Sequence, residues 1–157
     1  VALFGKLMDM NVISWGPTAD QGRQEKFGIR RVELTEALKE SDFLAICLRL
    51  SDKTRGILGA RELALLKNGA SLINTSRAET IEKQALYSEL AAGRISGAFD
   101  VFHEEPLPGN DPIRKFSNVL LSPHMGYVTH EVYEIFFSQV VENVLAWKHG
   151  REFRNAY

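Results

Sequence analysis

Residues 71–100 read SLINTSRAETIEKQALYSELAAGRISGAFD, and this stretch decides the fold. Ser71-Leu72-Ile73-Asn74 is a strand. Ile81 to Ala92 is a helix that stops at Gly93, the residue favoured just past a helix C-terminus. Ser96 to Asp100 is a second strand. A strand, a helix and a strand in so short a span predict parallel strands joined by a crossover helix.

The alternation continues outward. Upstream, Gly59 to Leu66 is helical and Lys67-Asn68-Gly69 ends it. Phe43 to Leu48 is a continuous apolar run, as expected of a buried parallel strand. Leu34 to Glu40 is a short helix, with Leu34, Ala37 and Leu38 at helical spacing, broken by Ser41-Asp42. Asn11 to Trp15 is a short strand stopped by Gly16-Pro17-Thr18. Downstream, residues 103–117 carry three prolines and one glycine and read as a loop. Val119-Leu120-Leu121 is a strand. Thr129 to Trp147 is a long amphipathic helix with an apolar stripe of Val132, Ile135, Phe136, Val140, Val144 and Leu145, ended by Gly150. The expected fold class is therefore α/β with a parallel sheet.

Size and composition suit such a domain. The 157 residues (17.7 kDa) are 45% hydrophobic and 25% charged, which excludes a disordered, collagen-like or disulfide-built chain. A chain this long buries roughly 70% of its unfolded surface and needs no metal or disulfide for a core. The net charge of −1 gives no basic stripe for nucleic acid. The single cysteine, Cys47, lies in the apolar run, where it reads as a small buried hydrophobe; a reducing, cytoplasmic home is expected. That run is six residues long, against the ~20 that a membrane helix needs. The chain opens Val1-Ala2-Leu3-Phe4-Gly5-Lys6-Leu7-Met8, with no initiator Met and no cap, as if a helix were already running. This suggests a piece of something longer.

Ligands of open α/β sheets bind outside the carboxyl ends of the strands. The residues there are Thr75-Ser76-Arg77 after one strand, Asp100 with Glu104-Glu105 after the next, and Ser122-Pro123-His124 after the last. A histidine beside a carboxylate serves as acid and base near neutral pH. An arginine offers a planar fork for a substrate carboxylate. Together they suit proton transfer on a small hydroxy or keto acid, with redox chemistry borrowed from a nicotinamide cofactor. Singly, each residue is more often a solvated surface group than a catalyst, and Asp100 alone serves to cap or brace a turn; their convergence on one edge carries the functional reading.

Three segments then carry a specific likeness. They are Ile73-Asn74-Thr75-Ser76-Arg77, Gly97 to Pro108, and Asn118 to Gly126. In order and spacing they resemble the signature blocks of the D-isomer-specific 2-hydroxyacid dehydrogenases, and the similarity runs from about residue 1 to residue 150. The resemblance implies a Rossmann-like three-layer domain over 1–150 with a short tail at 151–157. It implies that Arg77, Glu105 and His124 are catalytic: Arg77 on the substrate's carboxylate and carbonyl oxygen, His124 as acid/base, Glu105 holding His124 and raising its pKa. It also implies that Thr75, Ser76, Arg77, Asp100, His124 and Gly126 line the cofactor site, with Asp100 at the nicotinamide of NAD. A homodimer and a small 2-hydroxy or 2-keto acid substrate follow from the same likeness.

The sequence departs from that family in three places. No two glycines lie two positions apart, so the G-x-G-x-x-G phosphate turn is not present. The first strand and that turn are expected upstream of Val1, leaving the strands at 11–15 and 43–48 without a shared neighbour and the chain by itself inactive. No acid follows Trp15 directly to bind a ribose hydroxyl; Asp20 is a candidate, as are Thr18 and Arg23 for a 2′-phosphate, so NAD is expected with NADP open. Ala78 stands where the family usually has glycine.

Other chemistries fit less well. His103, His124, His130 and His149 lack metal-ligand spacing, and the last two read as solvated helix-end residues. Gly93-Arg94-Ile95-Ser96-Gly97 is out of register with a serine nucleophile elbow. Phe136, Phe137 and Trp147 sit at core-like spacing. The competing readings are a non-catalytic, NAD-sensing corepressor-like module and an inactive gene relic.

Overall fold

The computed structural model describes residues 1–17 and 27–154. The chain divides into two compact units, Val1–His124 and Met125–Tyr157. The first unit opens with helix α1 (Ala2–Leu7), followed by β1 (Ile13–Ser14), β2 (Arg30–Arg31), α2 (Leu34–Glu40) and β3 (Phe43–Ile46). After these come α3 (Ala60–Leu63), β4 (Ser71–Asn74), a 3-10 turn (Ala78–Thr80), α4 (Lys83–Ala91) and β5 (Ser96–Phe99). A second 3-10 turn (Pro112–Lys115) leads into β6 (Val119–Leu121). The fold is the parallel α/β, Rossmann-like arrangement expected.

Strands β3, β4, β5 and β6 form one sheet in that order, every pair parallel. The register places Ile46 beside Asn74, Asn74 beside Phe99, and Phe99 beside Leu121. The C-terminal ends of four strands therefore align, and the loops that follow leave from one edge. Strands β1 and β2 form a separate parallel pair, extended by the Val32 N–H donating to the Ser14 carbonyl. Among the described residues β1 and β3 are not paired.

The core is built by the periodicity of its elements. In β4 the side chains of Leu72 and Asn74 are buried while Ser71 and Ile73 are partly exposed. Helix α4 buries Leu86 and Leu90, one turn apart, against Leu72, Ile81, Ile95, Phe99 and Ile113. It ends at Gly93, whose φ of 67° is the left-handed value that glycine adopts freely. Arg94 then donates to the carbonyls of Leu63 and Leu66, satisfying the exposed end of α3. Asn118 does the same for Leu90 and Ile95.

One expectation needs correction. The apolar run 43–48 is not wholly buried: β3 ends at Ile46 and is an edge strand, so Phe43 is 59% exposed and Cys47 is exposed. Strand β2 has no counterpart in the sequence reading; it lacks apolar alternation, and Arg30 turns outward to pair with Glu36 and Glu40 of α2.

The second unit holds α5 (His130–Lys148). Thr129 caps it, its hydroxyl accepting from the Val132 N–H at 3.2 Å. Its stripe is not a core. Ile135, Phe136, Val140 and Val144 are more than half exposed, as are Phe137 and Trp147. Among the described residues of its own unit there is no second helix or strand on which to bury them. Among the described residues no helix is long and apolar enough to cross a membrane.

Candidate active site

The site is assembled at the shared strand edge of the first unit. Asn74 ends β4 with its side chain 1% exposed. Its Oδ1 accepts from the Ser76 N–H at 3.0 Å and its Nδ2 donates to the Arg77 carbonyl at 2.9 Å. Thr80, fully buried, also donates to the Arg77 carbonyl, at 2.8 Å. Loop 75–77 is thus moulded on two buried polar side chains, an arrangement that also satisfies both. Thr75 and the Arg77 side chain are exposed at its tip. Ser76 turns the other way: its hydroxyl donates to the Leu48 carbonyl and ties the β4 loop to the end of β3.

The next loop follows β5. Asp100 is 6% exposed, and its N–H donates to the Asn74 carbonyl at 3.1 Å. Its carboxylate accepts from the Ser122 hydroxyl, which reaches across from the end of β6. Glu105 folds back over the loop, one oxygen accepting the Phe102 N–H at 2.8 Å and the other lying 2.7 Å from His124 Nδ1. Glu104 and Glu105 are adjacent, but only Glu105 meets the histidine.

Electrostatics fix the sense of that contact. Burial works against the Glu105 carboxylate, but hydrogen bonds from His124 and the Phe102 N–H outweigh it, aided by the fields of His124 and Arg77. The carboxyl is held below its ordinary value, so it is ionised at neutral pH and only accepts. Nδ1 of His124 must then carry the proton of the 2.7 Å bond. The Arg77 guanidinium donates to the Ser76 carbonyl at 2.7 Å, and its charge contributes to the field at Glu105.

His124 has φ of 53°, a left-handed backbone that costs a non-glycine residue about 1 kcal/mol. Beside it opens a cavity of about 710 Å3, lined by Phe102, Leu107, Arg114, Leu121 and the Glu105–His124 pair among others.

Of the residues anticipated from sequence, Glu105 and His124 are in contact, and Thr75, Ser76, Arg77 and Asp100 lie on the same edge. Gly126 belongs to the second unit. Thr18, Asp20 and Arg23, the residues considered for the ribose, lie outside the described residues. Asn74, Thr80 and Ser122 were not assigned roles from sequence. The signal was present for Asn74, a polar residue closing a strand whose neighbours are apolar.

Residues 1–126 match the family described as D-isomer specific 2-hydroxyacid dehydrogenase, NAD binding domain. A glyoxylate reductase of Korarchaeum cryptofilum is 35% identical over 151 residues, which are 96% of this chain and 46% of that protein. A putative D-3-phosphoglycerate dehydrogenase of Ralstonia solanacearum superposes with a TM-score of 0.93 at 34% identity, over 99% of this chain and 46% of that one. A D-lactate dehydrogenase of Aquifex aeolicus, solved with NAD and lactic acid, gives 0.83 at 26% identity, over 96% and 50%. The chain spans about half the length of the curated relatives it matches. With the family match over most of the chain, it belongs to the D-isomer-specific 2-hydroxyacid dehydrogenases, of which it carries the NAD-binding domain.

Proposed function

We propose that the protein to which these residues belong transfers a hydride between a nicotinamide cofactor and C2 of a small D-2-hydroxy or 2-keto acid. The observation that carries this reading is the Glu105–His124 bond at the strand edge with the Arg77 charge beside it. The residues present fit the nicotinamide half of the cofactor. Asp100 offers a buried carboxylate, an acceptor suited to a carboxamide N–H, and Thr75 an exposed hydroxyl on the same edge. When bound, the nicotinamide supplies or accepts the hydride.

The chain's own residues do the rest. Arg77 forks onto the substrate carboxylate and fixes which face of C2 is presented. In the direction of reduction, His124 Nε2 gives a proton to the keto oxygen as negative charge develops there. Nδ1 keeps its hydrogen bond to Glu105 throughout, so Glu105 holds the ring's orientation. In oxidation the same nitrogen takes the hydroxyl proton back. Glyoxylate and hydroxypyruvate are the first substrates to try, since relatives carry the name glyoxylate/hydroxypyruvate reductase. The working assembly is a homodimer.

His124→Ala tests the mechanism. Oxidation of NADH in the presence of either keto acid should fall by at least about 100-fold, the ordinary contribution of a positioned acid/base. The dissociation constant for NADH should stay within about threefold. Unchanged turnover in His124→Ala removes the proposed acid/base.

A further inference from the structure

Ser122 sits where two parts of the site meet. Its backbone N–H donates to the Phe99 carbonyl at 2.9 Å, continuing the β5–β6 ladder one step past β6. Its hydroxyl donates sideways to the buried carboxylate of Asp100. Its carbonyl accepts the His124 N–H at 3.1 Å, the contact that begins the left-handed turn. Pro123 between them has no N–H to add. The links close a ring: Ser122 to Asp100, along the chain to the Phe102 N–H, to Glu105, to His124 Nδ1, and back through the turn to Ser122.

We propose that Ser122 is a positioning residue for this reaction: through its hydroxyl it orients the Asp100 carboxylate and anchors the turn that presents His124. The inference rests on the functional reading above and adds a residue to it. A carboxylate as buried as that of Asp100 needs donors to hold one orientation. The Ser122 hydroxyl supplies one from the very residue that roots His124. Cofactor contact and acid/base are thereby linked through one residue, so a shift at Asp100 is felt at the imidazole. A serine at a strand end otherwise bonds its own turn. Here it crosses to the neighbouring strand instead.

Ser122→Thr and Ser122→Val share a shape and differ in the hydroxyl, and Ser122→Ala removes it without adding bulk. The first readout, in the intact protein, is the His124 Nδ1 proton resonance, assigned by its loss in His124→Gln. The second is the dissociation constant for NADH from fluorescence. The threonine variant should keep the resonance and bind NADH within about twofold of wild type. Valine and alanine should broaden or lose the resonance and weaken NADH by about tenfold, the lower end for a hydrogen bond to a charged group. If either folded variant lacking the hydroxyl keeps both signals, or if threonine fails to rescue, the inference is wrong. Lower thermal stability with the resonance intact makes Ser122 merely structural and also overturns it. The resonance is read without substrate, so its outcome is separate from whether the protein reduces 2-keto acids.

Discussion

At the residue scale, the reactive groups are held by neighbours that never touch a substrate. Asn74 is the clearest. Both polar atoms of its buried amide shape the loop that carries Arg77. Asn74→Ala therefore strands the Ser76 N–H and weakens the hold on the Arg77 carbonyl, where Thr80 remains. A lost buried partner costs about 1–3 kcal/mol. The variant should lose that much stability in urea titrations and raise KM for the keto acid more than it lowers kcat. A variant with wild-type KM would show that the loop holds its shape without Asn74. The same contrast explains what was legible in sequence. Arg77, Glu105 and His124 are chemically distinctive, and strand ends gather on one edge, so reading those ends suffices. Ser122 and Asn74 are ordinary polar residues whose partners are far along the chain or set by backbone geometry. Asn74 left a trace as a polar residue closing an apolar strand, whereas only the register of β5 and β6 reveals Ser122.

At the element scale, the long loop before β6 is organised by one carboxylate. Asp111 accepts from the Ile113 N–H at 3.0 Å and so caps the 3-10 turn; it also accepts from the Tyr87 hydroxyl at 2.7 Å and pairs with Lys83 at 3.1 Å, both on α4. Tyr87 adds an edge-on contact with Phe116 at 6.0 Å between ring centroids. The loop that delivers Glu105 is thereby fastened to α4. Asp111→Ala removes a cap and leaves the phenol of Tyr87 unpartnered, for a loss of about 2–4 kcal/mol. Thermal unfolding should shift down on the order of 5–10 °C, and a shift under about 2 °C would contradict this role. Residues 103–117 read as plain loop from their three prolines and one glycine; the order there comes from side chains distant in sequence. Strands β4 and β5 and helix α4 were legible because each buries apolar residues in one core; β6 was legible as an apolar run, although Leu120 is exposed. The run at 43–48 and the stripe of α5 misled for the opposite reason. Apolar spacing says which face seeks burial, and says nothing of whether a partner lies there.

At the scale of the whole molecule, charge balance leaves acid stability to a few carboxylates with defined partners. Asp111 is pushed up by burial, yet the Ile113 N–H, the Tyr87 hydroxyl and Lys83 outweigh this and hold its carboxyl below the ordinary value. Glu105 is lowered in the same net sense. A carboxyl with a depressed folded-state pKa binds fewer protons folded than unfolded between the two values. Its contribution to stability is therefore complete above the unfolded pKa of about 4, and is lost as pH falls through the folded value. Tyr87 has the opposite sign: burial first, then Asp111, raises its pKa, so its contribution is complete below the unfolded value of about 10 and lost at more alkaline pH. Urea midpoints should thus stay level across the neutral range with respect to these groups and fall steeply below about pH 4. Replacing Asp111 with Asn and Glu105 with Gln removes both titrations while keeping acceptors in place. The doubly substituted protein should be less stable at neutral pH and have a shallower acid limb. Since each differentially bound proton contributes about 1.4 kcal/mol per pH unit, the difference is measurable. Parallel acid limbs in the two proteins would mean that other groups govern the acid transition, and that the partners of Glu105 and Asp111 leave their ionisation as it is in the unfolded chain.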